Sequence, residues 1–281
     1  MTRLVALLGD PVAHSLSPGM QNAAFEALEL DLRYLAFRVE AARFAEALGG
    51  LAALEAVGTN VTVPHKERAF ALVEAHTSEA ACCGAVNVVT FHGGRTVGHN
   101  TDVVGIRSAL ALLDAKQGSA LLLGAGGAAR AAAVVLVEQG FSPLHIAVRD
   151  LQKGQRFAED LTVRRPQTAV ELHPLDALPG GCALVVNATT LGLPGNPFPP
   201  SLLQDVLAAG GVGGTVLDLV YAPGGTPLAT AATERGLRAL DGTDVLLEQG
   251  AASFTLFTGR PAPLDVMATA LGRHVATRFP S

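Results

Sequence analysis

The 281-residue chain has no tryptophan, two tyrosines and three cysteines, and charged residues make up only 16% of it. Cys82, Cys83 and Cys182 are odd in number and lack metal-ligand spacing, which argues against a disulfide framework. The adjacent pair is expected to pack as small apolar groups in a reducing, cytoplasmic setting. A net charge of −5 with scattered basic residues removes the electrostatic case for nucleic acid. Long apolar runs are missing too. Met1-Thr2-Arg3 leads directly into a five-residue apolar stretch, too short for the core of a signal peptide. The longest apolar helical pattern, Ala128 to Val137, carries Arg130 and falls far short of a membrane span. Eight histidines are present, but there is no H-E-x-x-H, and His92 and His99 merely flank a hairpin turn. No metal is expected; His14 and His65 read as hydrogen-bonding scaffold. What the chain has in quantity is apolar residues, 49%, enough for a well-buried globular protein of one large or two modest domains.

The periodicity predicts alternating strands and helices. Leu4–Leu8 reads as a strand, Pro18–Leu28 as a helix, Arg33–Arg38 as a strand and Ala41–Leu51 as a helix. Ala56–Val63 reads as a strand, Glu67–Glu74 as a short helix, and Gly84–Phe91 as a strand turning through His92–Arg95 into Thr96–Gly98. A helix at Gly105–Leu113 leads to further buried strands at Ala120–Leu123, Leu144–Val148, Ala183–Asn187 and Val216–Leu219. The glycine-rich stretch Ala209–Gly214 reads as a surface loop, and Pro194–Pro200 as an ordered, proline-rich one. The helices Asp244–Phe257 and Pro263–Ala276 are expected to fold back onto the N-terminal part. The fold class is therefore α/β with two domains: 1–103 plus 243–281, with a mainly parallel sheet, and 104–242, whose strand–helix alternation is that of a Rossmann-type doubly wound sheet.

Three clusters carry chemistry. In Gly58–Lys66, side chains two apart on an extended backbone share a face, so Asn60 and Thr62 point the same way. Pro64 then ends the pairing and releases Lys66 into the next element. This is a set of donors and acceptors suited to a polyol, with one ammonium for proton transfer, and Asp102 is its natural carboxylate partner. Near the N-terminus, Ser15 and Ser17 follow a strand and a turn, where open α/β sheets place ligand contacts; two hydroxyls there suit one carboxylate. Ser17 also reads as a helix N-cap with Pro18 at the first helical position. The third cluster, Gly124-Ala125-Gly126-Gly127-Ala128-Ala129, follows a buried strand and opens a long helix. That is the G-x-G-x-x-A pattern whose glycines permit a tight turn and close approach of a pyrophosphate to a helix N-terminus. Asn187, Thr189 and Thr190, small polar groups at a strand end, suit the nicotinamide-ribose side, and Tyr221 ends the next strand with a phenol.

Taken in order, these segments resemble the shikimate dehydrogenase family along nearly the whole chain. The motifs are H-S-L-S-P at 14–18, G-T-N-V-T-V-P-H-K at 58–66, G-A-V-N at 84–87, G-H-N-T-D at 98–102 and G-A-G-G-A-A-R-A at 124–131. N-A-T-T-L-G at 187–192, Y-A-P-G-G-T-P-L at 221–228 and Q-G-A-A-S-F at 249–254 complete the series. The resemblance implies NADPH-dependent reduction of 3-dehydroshikimate to shikimate, on the route to chorismate and aromatic amino acids, in a cleft between two domains of a monomer or homodimer. It implies Ser15 and Ser17 on the substrate carboxylate with Tyr221 nearby. It places Asn60, Thr62, Asn87, Asp102 and Gln249 on the ring hydroxyls, and makes Lys66 and Asp102 the catalytic pair. Leu219 and Gly242 join the cofactor contacts.

Some positions depart from the family pattern. Gln21-Asn22 stands where His-Asn is usual, Gly192-Leu193 where Gly-Met is usual, and Val245-Leu246 where Met-Leu is usual. The consequential change is in the cofactor clamp, where the usual Asn-Arg-Thr reads Val148-Arg149-Asp150. Arg149, Lys153 and Arg130 offer positive charge for a 2′-phosphate and favour NADP, whereas Asp150 suits the bare ribose diol of NAD. An NAD-dependent quinate/shikimate dehydrogenase is the alternative. A non-catalytic dinucleotide-binding regulator is disfavoured by the intact Lys66 and Asp102.

Overall fold

A computed structural model describes residues 1–193, 195–222 and 224–272. Pro194 of the proline-rich loop, Pro223 of the Tyr221 motif and the last part of the helix expected at Pro263–Ala276 lie outside the described residues. The chain divides into two compact units, Met1–Val104 with the segment from Leu246 onward, and Gly105–Val245.

The first unit is built on β1 (Arg3–Gly9), β2 (Leu32–Arg38), β3 (Gly58–Val61), β4 (Ala75–His76), β5 (Val88–His92) and β6 (Arg95–His99), in the order β2-β1-β3-β5-β6-β4. β1 pairs in parallel with β2 and β3, while β3–β5 and β5–β6 are antiparallel, as a two-residue glycine turn between β5 and β6 requires. Its helices are α1 (Ser17–Ala27), α2 (Phe44–Ala53, entered through a 3₁₀ turn at Ala41–Arg43), α3 (Lys66–Leu72) and α4 (Ser78–Cys83). Ala6, Leu8, Phe44, Leu48, Val61, Val86 and Val89 form one face of its core. Two short elements, β4 and α4, were not expected from the sequence. Six residues are too few for an apolar period to show. Thr77 caps α4 by accepting from the Ala80 N–H, and Gly84 ends it in the left-handed region at φ 62°. That stop is why the strand expected from Gly84 starts only at Val88.

The second unit is a fully parallel six-stranded sheet. Its strands are β7 (Ala120–Leu123), β8 (Leu144–Val148), β9 (Val170–Pro174), β10 (Cys182–Asn187), β11 (Gly210–Asp218) and β12 (Arg238–Leu240). The order is β12-β11-β10-β7-β8-β9, a doubly wound sheet whose direction of winding reverses between β7 and β10. Helix α5 (Asp102–Leu113) follows β6 and carries the chain past the unit boundary, and α6 (Gly127–Glu138), α7 (Leu151–Arg164), α8 (Pro200–Ala209) and α9 (Pro227–Glu234) follow strands of this sheet. The chain then continues through α10 (Gly242–Thr258) and α11 (Leu264–Ala270). The glycine run at 210–214, expected as a loop, is the first half of β11. Gly210 pairs with Cys182, and a register shift then absorbs the extra residues before Thr215 meets Leu184. Among the described residues no helix is long and apolar enough to cross a membrane.

Candidate active site

The reactive pair sits where two elements of the first unit begin. β3 ends at Val61, the His65 N–H closes a turn onto the Thr62 carbonyl at 2.9 Å, and α3 starts at Lys66. Asp102 opens α5 after β6, with its N–H donating to Asn100 Oδ1 at 3.1 Å. Lys66 Nζ donates to Asp102 Oδ2 at 2.5 Å, and each side chain is 12% exposed. An ion pair so nearly enclosed needs its remaining lone pairs satisfied. Asn87 does this: its Nδ2 donates to Asp102 Oδ1 at 2.9 Å. The carboxylate is thus held on one oxygen by an ammonium and on the other by an amide, which sets the direction of the lysine.

The same asparagine joins three elements. Asn87 Nδ2 also lies 2.9 Å from Thr101 Oγ1 and 3.3 Å from Gln249 Oε1, and its Oδ1 accepts the Thr101 N–H at 2.7 Å. Asn60 Nδ2 donates to the Asn87 carbonyl at 3.2 Å and to Ser253 Oγ at 3.1 Å, while its Oδ1 accepts from Tyr34 Oη at 2.8 Å. The structure therefore brings Asn60, Lys66, Asn87, Asp102 and Gln249 into one hydrogen-bonded net. Four members were not among the expected site residues: Tyr34, Asn100, Thr101 and Ser253. Three of them lie inside the quoted motifs. Tyr34, on β2 and fully buried, has no motif, and only a phenol in a core strand that needs a partner hinted at it.

Ser15 and Ser17 form a local turn apart from this net, the Ser17 N–H donating to Ser15 Oγ at 3.2 Å. The helix boundary corrects one expectation. Ser17 is the first residue of α1, and Leu16 occupies the cap position without a side-chain bond. Thr62 is half-buried beside Gly9, its N–H on the Leu8 carbonyl. His65 bonds the Val39 carbonyl at 2.7 Å and stacks on Phe44. Tyr221 stands beyond β11 in the second unit.

In that unit the expected cofactor residues gather at the carboxyl ends of the strands around the switch point. Gly124 leaves β7 at φ 109°, where a Cβ would press on the Ala188 backbone, so only glycine fits this turn. Ala125 is buried and Gly126 precedes α6, whose first turn contains Gly127 and Ala128 and presents free backbone N–H groups. Asn187, wholly buried, works beneath the loop that follows β10. Its Nδ2 donates to Asp218 Oδ1 at 2.8 Å and to the Leu191 carbonyl, and its Oδ1 accepts from both the N–H and the hydroxyl of Thr189. Thr190 Oγ1 accepts from Asn196 Nδ2. Burial pushes the Asp218 carboxyl up to about 6, with the nearby Asp241 adding to the effect and bonds from Thr226, Val220 and Asn187 opposing it. The Leu219 carbonyl packs against the backbone of Gly242, whose N–H donates to the Val220 carbonyl at 2.8 Å.

Two residues expected at the cofactor phosphate and ribose also have partners within the chain. Arg130 is engaged by Asp160 of α7 and lies over the Phe157 ring, 5.3 Å from its centroid. Burial raises Asp160, but Arg130 and Arg164 outweigh it and hold the carboxyl below its ordinary value. Asp150 is the N-cap of α7, its Oδ1 accepting the Lys153 N–H at 3.0 Å. Arg149 and Lys153 are exposed at the end of β8 and the start of α7, leaving their cationic groups for a ligand phosphate.

Residues 7–89 match the model of the shikimate dehydrogenase substrate binding domain, and 242–271 that of the shikimate 5′-dehydrogenase C-terminal domain. A shikimate dehydrogenase (NADP⁺) from Anaeromyxobacter sp. (strain K) is 43% identical over 99% of this chain and 98% of its own. The chain belongs to the shikimate dehydrogenase family. Among solved structures, shikimate 5-dehydrogenase from Thermus thermophilus in complex with NADP(H) and shikimate is 34% identical with a TM-score of 0.80, covering 96% of this chain and 98% of that one. Quinate dehydrogenase from Corynebacterium glutamicum in complex with NAD, 30% identical, reaches a TM-score of 0.82 with 96% and 98% covered. Fold likeness to this chain thus extends to a structure holding NADP(H) and shikimate and to one holding NAD.

Proposed function

We propose that the chain catalyses the reversible, NADPH-dependent reduction of 3-dehydroshikimate to shikimate in the cytoplasm, with residues 104–242 binding the dinucleotide and the remainder the substrate. The observation that carries this reading is the enclosed Lys66–Asp102 pair set among Asn60, Asn87 and Gln249. The nicotinamide, when bound, supplies the hydride. What the chain must add is a proton for the alkoxide oxygen that forms, and Lys66 Nζ is the ammonium in position to give it. Asp102, anchored through Asn87, keeps Lys66 aimed and accepts a ring hydroxyl. Ser15 and Ser17 hold the substrate carboxylate; Thr62, Asn60, Asn87 and Gln249 hold the remaining hydroxyls. In reverse, Lys66 receives the proton as shikimate is oxidised. Positioned acid–base catalysis of this kind contributes about 10²–10⁴-fold.

The dinucleotide fits the residues present. Gly124 and the α6 N-terminus suit the pyrophosphate, and Arg149 with Lys153 suits a 2′-phosphate. Asp150 spends one carboxylate oxygen on capping α7. Initial rates with shikimate, comparing NADP⁺ and NAD⁺ with quinate in parallel, test the reading. Fast oxidation of shikimate with NADP⁺ is expected. A preference for NAD⁺ or comparable quinate turnover would move the chain to the quinate-type branch, and no turnover with any pair would remove the function.

A further inference from the structure

A second cluster of chemically capable side chains lies in the Rossmann-type sheet. β8 and β9 run parallel with His145 beside Glu171 and Ala147 beside His173. Residues two apart on a strand share a face, so Glu171 and His173 project with His145 from the same side of the sheet. Helix α7 covers the opposite side, where Gly154 abuts Val148 and Leu172. Three ligating atoms converge there: His145 Nδ1 is 3.0 Å from His173 Nε2 and 3.3 Å from Glu171 Oε2, and His173 Nε2 is 3.8 Å from the same oxygen.

These separations have a specific meaning. A metal with bonds of about 2.0–2.1 Å in tetrahedral geometry spaces its ligand atoms roughly 3.3–3.4 Å apart. Three atoms at 3.0, 3.3 and 3.8 Å share a point about 2.0 Å from each, matching the Zn–N and Zn–O distances. Hydrogen bonds of His145 with His173 and Glu171 account for the first two distances, but not for the approach of all three atoms to one point. Two imidazoles and one carboxylate also select borderline transition ions over calcium or magnesium, which take all-oxygen sets. His145 is largely buried and fixed in β8, whereas Glu171 is 57% exposed on an edge strand, which gives an ion a route in and leaves its fourth position to water.

We infer that His145, Glu171 and His173 form a binding site for one divalent cation of the zinc type, which ties the edge strand β9 to β8. The chemistry of the proposed active site neither uses nor needs this ion. The sequence conceals the site because its ligands come from two strands separated by α7, with no short spacing motif.

The test is isothermal titration of untagged, chelator-stripped, desalted enzyme with ZnCl₂, alongside H173Q and E171Q, each checked for native circular dichroism. Glu171 is exposed, so E171Q keeps the fold even if H173Q does not. One equivalent of Zn²⁺ is expected on the wild type, weakened by about 100-fold in H173Q and at least 10-fold in E171Q, in line with losses seen when metal-supporting groups are removed. Zn²⁺ should raise the melting temperature of the wild type and raise that of each variant less, in step with its weaker binding. Cobalt should give the visible absorption of a tetrahedral centre. Absence of a one-equivalent site on the wild type, or one that survives both substitutions unchanged, would overturn the inference.

Discussion

Asp218 gives the sharpest test of how the second unit is held together. Its carboxyl is buried at the end of β11, accepts from Asn187 Nδ2 and the Val220 N–H, and is pushed up to about 6 chiefly by burial. A folded-state value above the unfolded one of 3.8 means that the native protein binds this proton more tightly than the unfolded chain does. The stabilisation is therefore complete below pH 4 and is lost as pH rises through 6. At about 1.36 kcal/mol per pH unit, the gap corresponds to roughly 3 kcal/mol, of which about 2 kcal/mol falls between pH 4.5 and 8. Asp218→Asn keeps a carbonyl acceptor for Asn187 and Val220 but cannot ionise. The stability of the variant minus that of the wild type should accordingly rise by about 2 kcal/mol from pH 4.5 to pH 8. Urea unfolding followed by far-ultraviolet circular dichroism measures this in a chain without tryptophan, with the slopes compared to confirm equal exposed surface. Taking the difference cancels the other titrating groups. A difference that stays constant within about 0.5 kcal/mol across that range would refute the argument.

Three further outcomes follow from the geometry. Lys66→Ala should lower kcat by about 10²–10⁴-fold while calorimetry still registers shikimate and NADP⁺ binding; full turnover would sink the proton-donor assignment. Tyr34→Phe removes the buried donor to Asn60 Oδ1 and should cost about 1–3 kcal/mol of stability in the same urea assay, with a raised KM for shikimate. An unchanged midpoint would show that Asn60 is held by its amide alone. Gly242→Ala would drive a methyl group into the Leu219 carbonyl; about 1–3 kcal/mol of destabilisation and a weakened NADPH fluorescence titration are expected. Wild-type binding would mean that the Leu219 segment yields freely.

The amino-acid sequence by itself determined the elements with strong local signals. Ala120–Leu123 followed by three glycines within four residues can form little but a buried strand and a tight turn into a helix, whereas the strand expected to run to Val63 before Pro64 ends already at Val61. The motifs around Lys66 and Asp102 likewise marked those side chains as candidates, because proton transfer and polyol binding need such chemical groups. Tertiary structure alone decided how those groups are satisfied. Asn87, expected as a substrate ligand, is also the brace of Asp102; Arg130, expected on a phosphate, is held by Asp160; Asp150, expected on a ribose, caps α7. Each outcome depends on a partner far away in the chain or on where a helix begins. The glycine run 210–214 became strand because a neighbouring strand supplied Cys182 to pair with it. Hydrogen bonds and ion pairs are short-range, so which polar group meets which is set only when parallel strands come into register. That is also why His145, Glu171 and His173, inconspicuous along the chain, meet within 4 Å across two strands.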